Sequence, residues 1–216
     1  MNQLPDAVRR HLEAWFGGWP TASSGIVVLE SDVRNRPGWD GTMLPVVGVT
    51  QNDFAVLSVA PGQASVVTDR LKYTDPADLA DTLGLMVGVL RWNLAAPPGD
   101  DVGEWVATTD KRVPAWLKAF NGDVLIEWDD HGHYGAGVGR KMHNALGHEI
   151  SVGTEESLRG KGIARRLVAT AARRILADGA VPTYVHLLEN HASAKVAAAA
   201  GFADLGWRYV GTPEVT

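Results

Sequence analysis

The sequence predicts an α/β chain built on a mixed sheet. Short runs rich in β-branched residues recur along its whole length, and helical stretches with one apolar face alternate with them. The 216 residues are 45% hydrophobic and 21% charged, enough apolar surface for a core and the usual charge content of a globular protein.

Each element has its own signal. Leu4, Val8, Leu12, Trp15 and Phe16 recur at helical spacing around Pro5 and predict a short opening helix. Residues 25–30 (GIVVLE) read as a strand, and 32–41, mixing Pro, Gly, Asn and Asp, as a loop. Residues 44–50 and 54–60 are two strand-like runs joined by Gln51, Asn52 and Asp53, a hairpin. Asp75-Pro76-Ala77-Asp78 predicts a capped helix over 75–90 that buries Leu79, Leu83, Met86 and Leu90, broken by AAPPGDD at 95–101. Val113-Pro114-Ala115-Trp116-Leu117 opens a short helix. Strands follow at 123–128 (DVLIEW) and 135–142, with a polar turn between them.

Over 146–154, Ile150, Val152 and Thr154 alternate with Glu149, Ser151 and Gly153, which is a strand period. Residues 162–177 form the strongest helix. Ile163, Leu167, Val168, Ala171, Ile175 and Leu176 share one face, and Arg165, Arg166, Arg173 and Arg174 the other. Residues 183–188 read as a strand, Asn190 caps a helix through Ala200 that Gly201 ends, and 202–210 closes with a strand-like tail.

Composition narrows the function. There is no cysteine, so disulfides, thiolate metal sites and a cysteine nucleophile are excluded. A formal charge of −5 argues against nucleic acid as a partner. No apolar run approaches the ~20 residues that cross a bilayer, and the first residues lack an apolar signal core, so no membrane partner and a cytoplasmic location are expected. His131, His133, His143 and His148 are close in sequence, but no acidic or thiolate ligand spacing accompanies them. We read them as turn histidines and expect no metal.

The sharpest local feature is Arg159-Gly160-Lys161-Gly162-Ile163-Ala164, between a strand and the long helix. Small residues let successive amides turn to one spot, and a helix N-terminus adds free N–H groups with partial positive charge. That combination holds a pyrophosphate through the backbone. Residues 159–174 carry six basic side chains and no acid within an acidic protein, which fits a phosphorylated ligand. A plain glycine turn before a solvated basic helix is the bland alternative. No P-loop and no G-x-G-x-x-G fingerprint is present.

The order of these parts resembles the GNAT superfamily of acyl-CoA-dependent N-acetyltransferases. Arg159, Gly162 and Ala164 match the family signature Q/R-x-x-G-x-G/A, while Asn190, Ala192-Ser193 and Gly201-Phe202 match its downstream segment. VPAWL and EISVGT look most like the zwittermicin-resistance branch. The resemblance covers about residues 113–216, the catalytic domain. Residues 1–112 form a divergent N-terminal region, a substrate cap or a degenerate copy of the same fold.

The resemblance implies a GNAT fold with splayed central strands, acetyl-CoA as co-substrate and a primary amine as acceptor, attacked directly in a ternary complex. Val152, Gly153 and Thr154 would pair with pantetheine. Arg159, Gly160, Lys161, Gly162, Ile163, Ala164 and Arg165 would hold the pyrophosphate. Asn190 and Ser193 would border the pantetheine arm, with Asn190 also a helix cap. A second copy of the chain is an open partner.

An amine of ordinary pKa is mostly protonated at neutral pH, so its proton must be removed. Glu149, on the central strand, is the candidate base; the alternative is a solvated or salt-bridged glutamate. His148 and His186 are the next candidates. Many members of the family place a tyrosine seven residues after the asparagine to protonate the departing thiolate. This chain has Ala197 there, and Tyr184, Tyr209 or water would have to substitute. A non-catalytic acyl-CoA-binding module is the runner-up.

Overall fold

The structure, a computed structural model, describes residues 4–212. Its first elements are α1 (Asp6–Phe16), β1 (Gly25–Glu30), β2 (Val46–Gln51), β3 (Phe54–Val59), α2 (Ala64–Arg70), α3 (Leu79–Leu83) and β4 (Met86–Trp92). Then come β5 (Glu104–Val106), β6 (Val124–Trp128), β7 (Tyr134–Asn144), β8 (Gly147–Thr154), α4 (Ile163–Ala177), β9 (Val181–Leu187), α5 (His191–Ala199) and β10 (Arg208–Gly211). The α/β class is as predicted. No helix among the described residues is long and apolar enough to cross a membrane.

The chain divides into two compact units. The first runs to Leu90 and adds His186–Glu189 and the chain from Asp204. Its strands lie in the order β1, β3, β2, β10, β4, with β1 and β3 parallel and the others antiparallel. The hairpin β2–β3 closes at Gln51 opposite Phe54, and Asn52 takes φ 54 in its turn, a left-handed backbone that asparagine tolerates. On one face Ala55, Leu57 and Val210 pack with Leu71, Leu79 and Ala80. On the other lies α1, where Trp15 stacks on Tyr209 and the Ser58 hydroxyl donates to the Phe16 carbonyl at 2.6 Å.

The helix predicted over 75–90 does not form. Only Leu79–Leu83 is helical, Gly84 ends it at φ 70, and Met86 onward is strand. Val87 and Val89 favour extended backbone, and pairing of β4 with β10 decides the matter over helical spacing. The sequence gives no sign of α2, which has no buried residue and so no apolar stripe, or of β5, which is three residues long.

The second unit comprises Arg91–Val185 and Asn190–Ala203. Its strands run in the order β9, β8, β7, β6, β5; β8 and β9 are parallel, and the rest antiparallel. The predicted face of α4 is buried. Leu167, Val168, Ala171 and Ile175 pack with Leu125, Val138 and Ile150, each large aliphatic side chain contributing about 1.5–3 kcal/mol. Leu176 is only half-buried.

The opposite face of the sheet is lined by glycines. A Cβ at Gly137, Gly139 or Gly153 would meet Leu117, Phe120 or Trp116 at 2.7, 2.5 and 2.8 Å. The alternating glycines of β7 are therefore the space into which the 3-10 turn Ala115–Leu117 and Phe120 press.

Candidate active site

The ladder between β8 and β9 has three pairs, Gly147 with Val181, His148 with Pro182 and Glu149 with Thr183, and then stops. Beyond them β8 remains paired only with β7, as far as Thr154 opposite Ala136. Burial changes one residue further on: Gly147–Ile150 are buried, and Ser151 to Thr154 are half-exposed. The Glu155 amide donates to the Gly135 carbonyl at 2.9 Å. Strand alternation then turns the Gly153 backbone toward β7 and the backbones of Val152 and Thr154 toward the open edge. The Tyr134 hydroxyl also donates to the Gly153 carbonyl, at 3.2 Å. The Thr154 Oγ1 is buried and has no hydrogen-bond partner among the described residues.

From this edge the chain turns through Gly160 (φ 78) and Gly162 (φ 73), both left-handed, into α4. Among the described residues nothing lies within 4 Å of where a Cβ at Gly160 would stand. Gly162 is the N-cap of α4, and no side chain among the described residues caps it, so the first-turn amides of Ile163, Ala164 and Arg165 have no intrahelical acceptor at the positive end of the helix dipole. Arg159 Nε donates to the Thr154 carbonyl at 3.3 Å and closes the loop onto β8. Arg173 is bound to Asp101 and Arg174 to Asp178, so the basic excess concentrates at the N-terminal end, on exposed Lys161, Arg165 and Arg166. A groove of about 640 Å³ is lined by Arg165, Arg166 and Arg173 together with Pro97 and Asp100.

In the chain β9 is followed by α5. The Asn190 side chain accepts from the Ser193 amide at 3.0 Å, so the capping role is real. The Ser193 hydroxyl lies 2.8 Å from that of Tyr184, the first residue of β9 beyond the last pair with β8. Tyr184 is buried, and burial raises its phenol pKa above the ordinary value, against the Ser193 hydrogen bond. Ala197 is fully buried in the core of this unit.

Glu149 sits on the sheet face away from α4, opposite Lys141 on β7. Lys141 Nζ is 3.1 Å from one of its carboxylate oxygens, and His143 Nε2 is 3.3 Å from the other. Burial alone would raise its pKa. Lys141 and the His143 hydrogen bond together outweigh that and hold it at about 2. Sequence reasoning missed both partners, which become visible only through the β7–β8 register.

The other histidines lie elsewhere. His131 and His133 are exposed on the Asp129 turn. His148 is buried beside Arg140 and Asp178, and its pKa is lowered, first by burial and then by Arg140. His186 has Nδ1 2.9 Å from the Leu187 carbonyl, which it donates to.

Residues 88–202, just over half of the chain and nearly all of the second unit, match the model of the acetyltransferase (GNAT) family. The chain belongs to the GNAT acetyltransferase family. Two solved structures share the fold of this GNAT protein. An acetyltransferase assigned to the GNAT family from Novosphingobium aromaticivorans aligns at 20% identity and a TM-score of 0.50, over 61% of this chain and 66% of its own. A GNAT-family acetyltransferase from Colwellia psychrerythraea aligns at 13% identity and a TM-score of 0.52, over 72% and 75%. The alignment thus spans just under two thirds of the first of these chains. No curated protein sequence matches significantly. None of the matches supports placement in the zwittermicin-resistance branch.

Proposed function

We propose that the chain transfers an acetyl group from acetyl-CoA to a primary amine of a small molecule or peptide, by direct attack within a ternary complex. The observation that carries this reading is the fork: β8 and β9 part after Glu149 and Thr183, beside an uncapped helix N-terminus. The amide groups of pantetheine would pair with the backbones of Val152 and Thr154. The pyrophosphate would lie on the amides of 162–165, beside Arg159, Gly160 and Lys161. The adenosine end would take the groove at Arg165 and Arg166. A buried hydroxyl without a partner, at Thr154, fits a site completed by a ligand. Asn190 and Ser193 border the opposite wall. The division into residues 1–112 and a catalytic region 113–216 belongs to the same proposal.

In the reaction the amine nitrogen adds to the thioester carbonyl, the C–S bond breaks, and the electron pair leaves on sulfur. Glu149 has a narrower part than a general base. A carboxylate held at about 2 is a weak proton acceptor near neutrality. Its proposed role is to stay anionic and fix Lys141 and His143, while the amine proton leaves through water.

The test is calorimetric titration with CoA, then thiol release from acetyl-CoA with a panel of primary amines. Micromolar CoA binding with amine-dependent release supports the proposal, and absence of CoA binding ends it. Binding without release under any amine favours the second reading, an acyl-CoA-binding module, whose motive is the fully buried Ala197 where the family resemblance expects a tyrosine.

A further inference from the structure

We propose that the open edge of β1 is a dimerisation surface: β1 pairs antiparallel with β1 of a second copy of this chain, about a two-fold axis through Val28. The surface lies within the first unit and is independent of the acyl-transfer reading.

Among the described residues β1 has one strand partner, β3. The Gly25 amide donates to the Asp53 carbonyl at 2.7 Å, and the Ser31 amide to the Val59 carbonyl at 2.9 Å. Backbone groups alternate sides along a strand, so Gly25, Val27, Leu29 and Ser31 address β3. Ile26, Val28 and Glu30 then present their N–H and C=O groups to the open edge. Such edges are usually blunted by a lysine, a proline, a bulge or shortness. β1 has none of these. It runs GIVVLE in unbroken register with β3, and Ile26 to Leu29 are half-buried. Its one charge is engaged at home, since the Glu30 carboxylate accepts from the Gly62 and Ala64 amides at 2.9 and 3.0 Å. By contrast β5, an edge strand of the second unit, is three residues long and opens on Glu104, 3.7 Å from Arg112.

The free groups set the register. A two-fold axis normal to the sheet keeps each side chain on its own face, and facing antiparallel residues exchange two hydrogen bonds. The register that engages all three open residues sets Val28 opposite the partner's Val28 and Ile26 opposite the partner's Glu30, for about six new hydrogen bonds. Val27 then stands beside the partner's Leu29, and the two Glu30 residues lie at opposite ends, so no like charges meet.

A second observation points to the same face. Beside the edge lies a groove of about 530 Å³, lined by Ile26, Val28 and Leu71 with Asp69, Lys72 and Asp75. α2, which supplies one wall, has no buried residue, and Tyr73 is 92% exposed. The two-fold axis brings both grooves to one side of the joined sheet. Each carries both signs of charge, so Lys72 of one copy complements the acids of the other, as an isologous contact requires.

The test is sedimentation of the full chain over a dilution series, with amide hydrogen exchange read by NMR. Wild type should form a dimer that dissociates on dilution. The amides of Ile26, Val28 and Glu30 should exchange slowly only in the dimer, and those of Val27 and Leu29 slowly throughout. Val28→Pro removes an outward N–H and spares the pairing with β3, and should weaken the dimer about tenfold or more. Lys72→Glu alters an exposed side chain and makes both grooves wholly acidic, for a loss of about threefold at low salt that Asp69→Lys in the same protein should recover. A wild type that stays monomeric at every concentration would overturn the proposal and leave the edge to some other chain. A dimer in which Ile26 and Val28 exchange as fast as in the dilute protein would place the contact elsewhere and overturn it too. If Val28→Pro fails to fold in thermal melts, Lys72→Glu and the exchange pattern decide.

Discussion

Replacing Glu149 with glutamine removes an anion and keeps the shape. The carboxyl sits at about 2 when folded, against an ordinary value of 4.5. A carboxyl whose folded pKa is depressed adds stability above its unfolded pKa and loses it as pH falls toward the folded one. The shift corresponds to about 3 kcal/mol at neutral pH, by the rule of ~1.4 kcal/mol per unit. Breaking a buried pair from one side costs about 3–5 kcal/mol by mutational experience, because Lys141 and His143 would lose the anion they face. The two routes agree. Glu149→Gln should therefore lose about 3 kcal/mol at pH 7. At pH 3 the unfolded carboxyl is already protonated, and the difference between the two proteins should shrink to about 1 kcal/mol.

Urea unfolding of both proteins at pH 7 and pH 3 measures this directly. A difference under about 1 kcal/mol at pH 7, or one of equal size at both pH values, would refute the ion-pair reasoning. The kinetics then decide the role. If kcat/KM falls by the ~10²–10⁴ typical of a lost general base while stability is unchanged, Glu149 acts on the proton directly and the narrower role is wrong.

Three further outcomes are expected. Gly162→Val should place a β-branched residue at φ 73, where the proposed site brings the backbone to phosphate, and CoA affinity measured by calorimetry should drop at least tenfold, with Gly162→Ala intermediate; unchanged affinity in a folded protein would remove the site. Gly139→Val should drive a side chain into the Phe120 ring, 2.5 Å from the Cβ position, and lower stability by about 1–3 kcal/mol in thermal melts, with partial recovery in the Phe120→Ala background. His148 has a lowered folded pKa, so wild-type stability should fall as pH drops below its ordinary value of ~6.5, and His148→Phe should flatten that slope in unfolding measured from pH 7 to pH 5.

Local signals carried the parts of this fold that are local. The hairpin over β2 and β3, the glycine turn into α4 and the Asn190 cap each depend on residues a few positions apart, and each was legible. The helix over 75–90 was misread because Leu79, Leu83, Met86 and Leu90 satisfy a helical period that strand pairing with β10 overrides. The glycines of β7 look like weak strand formers until Leu117 and Phe120 are seen filling their missing side chains. Glu149 was found as a lone carboxylate, but Lys141 and His143 reach it only through a cross-strand register that periodicity does not give. The same holds for Tyr184 and Ser193, nine residues apart on different elements.

The fork itself is a question of energetics. Parting β8 from β9 forfeits ladder hydrogen bonds over Ile150 to Thr154, and an unpaired backbone group is tolerable only where solvent or a ligand can reach it. The burial pattern meets that condition from Ser151 to Thr154, which are half-exposed, while Ile150, the first residue past the last pair, stays buried. Something must also prevent the two strands from closing. The Tyr184 side chain is fully engaged with Phe202 and the Ser193 hydroxyl, and Ile150, across the fork, is fixed in the core under α4. Ser151 to Thr154 are half-exposed, so their unpaired backbone groups are open to solvent, and on the proposed reading a pantetheine arm offering amides at strand spacing would pair with them.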